Sequence, residues 1–252
     1  MRIIQKLTVY QLTFLPRFFP VNAYLVEEED GLTVIDAALP YSVKGILKAA
    51  ERIGKPITRI VLTHAHVDHI GALDRLKASL PHVPVFISAR DARLLAGDRS
   101  LDESEPKTPI RGGVPKAGKI ATKPDVLLHD GDRVGSLQAV AAPGHTPGNM
   151  AFFDTRNRAL IAGDAFQTRG GMAVSGQVRP LFPFPAMATW NKEVALATAR
   201  KLNDLNPSLL AVGHGLMIEN PQANIVRVIQ TAELQLCVNA VERNENHASN
   251  RS

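Results

Sequence analysis

The sequence predicts an α+β fold of two packed sheets with outer helices, and three observations carry that expectation. Strand and helix signals alternate along the chain without a detectable internal repeat, a pattern suited to sheets covered by helices. The 252 residues, 45% hydrophobic and 21% charged, can bury a full core and fit one large domain over residues 1–252 better than two small ones. An apolar stretch, Ile60-Val61-Leu62, reads as a buried strand and runs straight into a cluster of imidazoles and a carboxylate.

The elements follow in order. Residues 23–26 and 32–35 flank the acidic turn 27–31 as a hairpin. Val43, Ile46, Leu47, Ala50 and Ile53 recur at helical spacing, and Gly54 supplies a stop before Pro56. After the strand at Ile60, a helix opens at Ile70-Gly71-Ala72-Leu73, its amino end beside the histidine run. Residues 83–87 form a short strand, and Ser88 caps a helix over 89–96. Residues 97–123 are irregular and rich in charge, proline and glycine; a stretch this long within a domain is functional or disordered. Residues 126–128, 138–142, 150–154 and 159–162 read as strands of the second half. Residues 166–187 are a second irregular stretch. Phe182 and Phe184 supply apolar area there and Arg169 or Arg179 an anchor for an anionic group, which makes it a candidate wall of a substrate pocket. Thr189 precedes a helix to about Leu205, stopped by Asn206-Pro207. The last helix follows Asn220-Pro221 towards Glu242, and the polar tail 244–252 is expected to fray.

The run Thr63-His64-Ala65-His66-Val67-Asp68-His69 carries the chemistry. His64, His66, Asp68 and His69 fall within six consecutive positions, and His145, Asp164 and His214 stand far downstream. Packing such groups at the end of a hydrophobic strand leaves donors and charges unpaired unless something binds them. Imidazole with carboxylate suits zinc, iron or manganese, and the lack of cysteine nearby removes the thiolate-rich structural sites. The reading is a catalytic metal centre. His82, His129 and His247 stand alone and are assigned to structure or solvent.

THAHVDHIG, residues 63–71, resembles the signature of the metallo-β-lactamase-fold hydrolases. The rest of that pattern recurs in order, with Asp36 in VIDA, His145 in PGHTPG, Asp164 in IAGD and His214 in VGHG, so the resemblance spans about residues 22–215. It implies a four-layer αββα sandwich with metals at one edge. It also implies one metal on His64, His66 and His145, a second on Asp68, His69 and His214, and Asp164 bridging them. Asp36 resembles the buried aspartate that orients loops and ligands around such a site.

Departures narrow the relatives. Lactonases acting on acyl-homoserine lactones carry a tyrosine three residues after the bridging aspartate, where this chain has Gln167. Glyoxalase II enzymes share GHTPG but append a helical domain, and only 38 residues follow His214. Dedicated β-lactamases lack the bridging aspartate. The resemblance leaves a general hydrolase with two divalent ions, expected to be zinc with iron or manganese as alternatives. Such ions, about 3.5–4 Å apart, share a hydroxide nucleophile, with Asp68 orienting it and passing a proton to the leaving group. The bond cleaved is an ester, thioester, lactone or amide; an iron-dependent redox enzyme, or a phosphodiesterase or nuclease, is the alternative.

Composition bounds the partners. One cysteine, Cys237, excludes an intramolecular disulfide, agrees with a reducing cytoplasm, and sits in an apolar helical stripe that predicts an inert core position. Gln5, Lys6, Gln11, Arg17, Pro16 and Pro20 interrupt the apolar amino terminus before a secretory or membrane segment can form. The net charge of +5 is dispersed, with no run of five like charges. A small-molecule substrate is therefore expected rather than nucleic acid or a membrane, and the sequence leaves the oligomeric state open.

Overall fold

Alternate residues of the central strands feed different apolar clusters, which is how a sheet buried on both faces is written in sequence. In the computed structural model, which describes the backbone of residues 1–249 and the side chains of residues 1–238, the first sheet runs in strict chain order. It comprises β1 (Arg2–Lys6), β2 (Val9–Phe14), β3 (Val21–Glu27), β4 (Leu32–Ile35), β5 (Ile57–Val61), β6 (Val85–Ser88) and β7 (Val126–Leu128). The pairing from β1 to β4 is antiparallel and from β4 to β7 parallel. Four helices connect these strands: α1 (Val43–Ile53), α2 (Val67–Ile70), α3 (Leu73–Ser79) and α4 (Ala89–Leu95).

The second sheet contains β8 (Arg133–Val134), β9 (Leu137–Ala141), β10 (Met150–Asp154) and β11 (Ala159–Ile161). A two-stranded ribbon of β12 (Phe166–Gln167) and β13 (Ala173–Val174) stands apart. After α5 (Phe184–Ala188) and α6 (Lys192–Asp204), β14 (Leu209–Ala211) joins β11 in parallel, β15 (Ile218–Glu219) forms the edge, and α7 (Gln222–Ser249) ends the described chain.

Three cores define the layers. In β3, Val21, Ala23 and Leu25 pack with Ile46 of α1, Leu73 and Leu76 of α3 and Leu94 of α4. Tyr24 and Val26 face the other way, meeting Leu137, Met150, Phe152 and Ile161 of the second sheet. Across that sheet, Ala151, Phe153 and Leu160 meet Ala199 and Leu202 of α6 and Ile225 and Val228 of α7. The result is the four-layer αββα sandwich.

Several expectations change. The hairpin of β1 and β2 has no counterpart in the sequence reading. Residues 126–128 become β7 on the edge of the first sheet rather than a strand of the second half, because β6 offers them a parallel partner. The helix expected from Ile70 splits into α2 and α3 around Gly71, where an added Cβ would lie 2.8 Å from the carbonyls of Ala38 and Val67. Residues 97–123 contain no strand or helix, yet Ile110 and Val114 are buried and the Trp190 indole donates to the Thr108 carbonyl, which pins the stretch to the body. Residues 166–187 are partly ordered as β12, β13 and the start of α5. The helix expected after Thr189 is α6, and its cap is Asn191, whose side chain accepts from the Glu193 and Val194 amides. Cys237 is exposed, so the core expectation for it fails: it lies off the stripe of Ile225, Val228 and Ala232 that faces the sheet. Helix α7 runs past Glu242 to Ser249; residues 250–252 of the tail, and the side chain of His247, lie outside the described residues. No helix among the described residues is long and apolar enough to cross a membrane.

Candidate metal centre

Sheet register assembles the site. Parallel pairing sets Ile35 beside Val61, so Asp36 and Thr63 leave adjacent strand ends together, and the Thr63 amide donates to Asp36 Oδ1 at 2.8 Å. In the second sheet Ile161 pairs with Ala211, and Asp164 and His214, each three residues further on, emerge side by side. The Met150 amide of β10 donates to the Thr63 carbonyl at 2.8 Å, drawing the loop that carries His145 against the end of β5. His66 precedes α2, whose first turn holds Asp68 and whose last turn holds His69. All seven expected residues thereby meet at one edge of the sandwich. Six are buried, and Asp68 alone is partly open, its side chain 23% exposed.

Each of the five imidazoles has one nitrogen committed to a protein acceptor, which fixes its tautomer. The Thr63 hydroxyl donates to Asp36 Oδ2 at 2.7 Å and so accepts from His64 Nδ1 at 2.9 Å. His69 Nδ1 donates to Asp36 Oδ2 at 2.8 Å, and His214 Nδ1 to the Pro20 carbonyl at 2.7 Å. His66 donates through Nε2 to the Arg111 carbonyl at 3.1 Å. The Thr189 hydroxyl donates to the Pro185 carbonyl, Ser175 donates to Thr189, and the Ser175 oxygen is left to accept from His145 Nδ1 at 3.1 Å.

The remaining nitrogens converge. His66 Nδ1 and His145 Nε2 face each other at 2.9 Å as two lone pairs that repel unless a cation or proton shares them. Asp164 Oδ2 lies 3.3 Å from His145 Nε2 and 3.2 Å from His214 Nε2, while Oδ1 lies 3.6 Å from His69 Nε2. Asp68 Oδ2 sits 3.5 Å from His214 Nε2 and 3.9 Å from His69 Nε2. His64 Nε2, His69 Nε2 and Asp164 Oδ1 are buried without a hydrogen-bond partner. Unsatisfied buried lone pairs in this number are the signature of a cation site. Gly213 keeps the cradle open, since a Cβ there would lie 1.9 Å from Asp164 Oδ1.

Among the described residues, three groupings could hold an ion: His64, His66 and His145; Asp68, His69 and His214; and Asp36, His64 and His69. The third is already spent, because the Asp36 carboxylate accepts from the Thr63 amide, the Thr63 hydroxyl and His69 Nδ1. Electrostatics separate the other two. Burial lowers His64 and His66 below the usual imidazole range and His145 to about 3, so these three are neutral donors. Burial also opposes charge on His69 and His214, but the Asp164 and Asp68 carboxylates outweigh it and raise both.

The expected aromatic residues border this edge. Phe182 and Phe19 pack on the His214 ring at centroid distances of 5.4 and 5.3 Å, and Phe184 packs on both at 5.3 and 5.1 Å. The Arg169 guanidinium donates to the Arg17 carbonyl, and that of Arg179 to the Met172 carbonyl. Asp91 is the residue that sequence reasoning missed. It is fully buried on α4 and accepts from the Ala65 and Gly148 amides and the Thr146 hydroxyl. Its signal was present, because Asp91, Leu94 and Leu95 form the inward stripe of that helix and one of the three is a carboxylate.

Known proteins carry the same pattern. The family model described as the metallo-beta-lactamase superfamily matches residues 16–214. Uncharacterized protein YobT of Bacillus subtilis (strain 168) is 58% identical over 233 residues, covering 92% of this chain and 99% of that protein. The protein named probable metallo-hydrolase YflN, from the same strain, is 32% identical over 222 residues, 77% of this chain and 80% of its own. A crystal structure of TTHA1623 in a di-iron-bound form matches with a TM-score of 0.60 at 28% identity, covering 84% of this chain and 95% of that one. With its fold, its ligand-type clusters and these matches in agreement, the chain belongs to the metallo-beta-lactamase superfamily and is an enzyme of the metallo-hydrolase class.

Proposed function

We propose that the protein is a dinuclear metal-dependent hydrolase that cleaves an ester, thioester, lactone or amide bond in a small-molecule substrate. The observation that carries this reading is the convergence of five imidazole nitrogens and two carboxylates, each imidazole fixed from behind by a protein acceptor. His64 Nε2, His66 Nδ1 and His145 Nε2 would hold one ion. Asp68, His69 Nε2 and His214 Nε2 would hold the second, with Asp164 facing both sets. Both sheets contribute to the set, so residues 1–252 act as one domain.

Two divalent ions, when bound, would supply Lewis-acid polarisation of the scissile carbonyl and lower the pKa of water towards neutrality. The chain's own residues do the rest. Asp68, the one partly open carboxylate, can reach a substrate and carry a proton to the leaving group. Burial disfavours its charge, but His69 and His214 outweigh that and hold it below the usual carboxylate range, so it stands ionised beside the imidazoles. Phe19 and Phe184 form an apolar wall on the His214 side, with the fully buried Phe182 packed behind them, suited to parts of a substrate that do not react.

Zinc is the first metal proposed, on the imidazole-rich donor set. The di-iron-bound form of the structural neighbour supports iron as the second. The free, exposed Cys237 fits a reducing cytoplasm.

Elemental analysis of the purified chain, followed by assays on ester, thioester, lactone, β-lactam and phosphodiester panels, tests the proposal. Two metal equivalents, and hydrolysis of an ester, thioester, lactone or amide that is lost on chelation and restored by metal, are expected. Hydrolysis indifferent to chelation, or iron with oxygen uptake and no hydrolysis, would overturn it.

A further inference from the structure

We propose that Asp91 is a positioning residue that locks together the two loops carrying His64, His66 and His145, and thereby sets the metal affinity of that three-histidine set and not of the other. The inference rests on the reading that those histidines hold a metal.

The geometry is specific to one set. Asp91 Oδ2 accepts from the Ala65 amide at 2.9 Å, and Ala65 lies between His64 and His66. The same oxygen accepts from the Thr146 hydroxyl at 2.8 Å, and Thr146 follows His145. Oδ1 accepts from the Gly148 amide at 2.8 Å. Ser88 completes the clamp: its hydroxyl donates to the Gly148 carbonyl at 2.6 Å and accepts the Asp91 amide at 3.0 Å. A Cβ on Gly148 would stand 2.6 Å from Asp91 Oδ1, so glycine is what lets the carboxylate come this close. One loop leaves the first sheet after β5 and the other joins β9 to β10 in the second. Asp91 therefore spans the two halves of the sandwich where their ligands must meet.

The residue type is matched to the task. Three donors surround two oxygens, so an acceptor-only group is required, and an asparagine would turn its amide nitrogen against one of them. The match is held at a cost. Burial pushes the Asp91 carboxyl up to about 6 despite those hydrogen bonds, and among the described residues its neighbour Arg90 pairs with Glu105 instead. The side chains of Asp68, His69 and His214 share no hydrogen bond with this clamp: His69 is oriented by Asp36 and His214 by the Pro20 carbonyl.

The test is a zinc competition titration of the full chain against a chromophoric chelator. His145→Ala and His214→Ala identify which binding step belongs to which set. Asp91→Asn is expected to weaken the three-histidine step about 10- to 100-fold, in the range measured for residues that orient ligands, and to leave the other step unchanged. Thr146→Val keeps Asp91 and removes a single bond; it should move the same step in the same direction by less, and it decides the matter if Asp91→Asn does not fold. Two unchanged steps, or two steps weakened equally, would overturn the role of Asp91. Wild-type protein that takes up no zinc would overturn the metal reading itself and this inference with it.

Discussion

The two ends of strand β10 both tie the sheets together through buried carboxylates, but they are finished differently. At its carboxyl end, Asp154 is fully buried and accepts from Thr8 Oγ1 at 2.8 Å, the Arg156 amide at 3.0 Å and the Arg156 guanidinium at 2.7 and 2.9 Å. Asn157 and Glu28 extend that network, and none of its side-chain atoms is orphaned among the described residues. Beyond the amino end, the carboxylates of Asp36 and Asp91 are equally well supplied, yet His64 Nε2, His69 Nε2 and Asp164 Oδ1 are left bare. One end is complete as protein; the other is complete only with a cation. Burial of polar groups is common to both, and isolated orphans such as Thr33 Oγ1 and Gln222 Oε1 occur elsewhere; what marks the functional end is that its unsatisfied atoms belong to converging ligand-type groups.

The largest expected effect lies at the open end. Asp68→Asn should lower turnover by about 10²- to 10⁴-fold at matched metal occupancy while moving KM little, because proton transfer acts in the transition state. Steady-state kinetics on metal-quantified protein checks this, and an unchanged turnover number removes Asp68 from the mechanism. Asp36→Ala comes next: it strips the orienting partner from His69 and Thr63, and metal affinity should fall by about 10- to 100-fold in a chelator titration. Retention of full affinity would show that His69 is held by packing alone.

At the closed end, Asp154→Asn should cost stability and leave metal content intact, by about 2 kcal/mol in denaturant titrations, for weakened bonds to a buried charge. Its pH dependence has a defined sign. Burial raises the Asp154 carboxyl, but Arg156 and Thr8 outweigh it and hold the group below its usual range. A depressed carboxylate stabilises the fold above its unfolded value, about 3.9, and that contribution is lost as pH falls through the lower folded value. The variant should therefore show a flatter acid limb below about pH 4; the wild-type slope would mean that the network does not discriminate charge. The smallest effect is expected on the rim. Phe184→Ala should change kcat/KM between substrates of different apolar size on the order of tenfold, with metal content unchanged. A uniform change across substrates would reduce the aromatic wall to a packing element.

How much of this was legible depended on whether the information is local. His64, His66, Asp68 and His69 occupy one strand end and one helical turn, so their spacing alone announced a site. His145, Asp164 and His214 each stand by themselves; they were found through glycine-rich motifs and family resemblance, and only the pairing of Ile161 with Ala211 explains why two of them meet. The fold class, the hairpin of β3 and β4, and helices α1 and α4 followed from periodicity and caps. The misplacement of residues 126–128 has a tertiary cause, since three apolar residues do not specify which sheet will pair with them. Asp91 escaped notice because a helix signal accounted for its neighbours, and its role depends on Gly148, 57 positions away. The main-chain acceptors that fix His66 and His214, Arg111 and Pro20, have no side-chain signature at all.

The open end is proposed to hold two ions, divided between the two donor sets. Anomalous diffraction from crystals grown with zinc, with data on both sides of the zinc absorption edge, tests it most directly. The expected result is two peaks per chain, one coordinated by His64 Nε2, His66 Nδ1 and His145 Nε2, the other by Asp68, His69 Nε2 and His214 Nε2, with Asp164 between them. A single peak at full occupancy, or a peak coordinated by Asp36, would contradict the account.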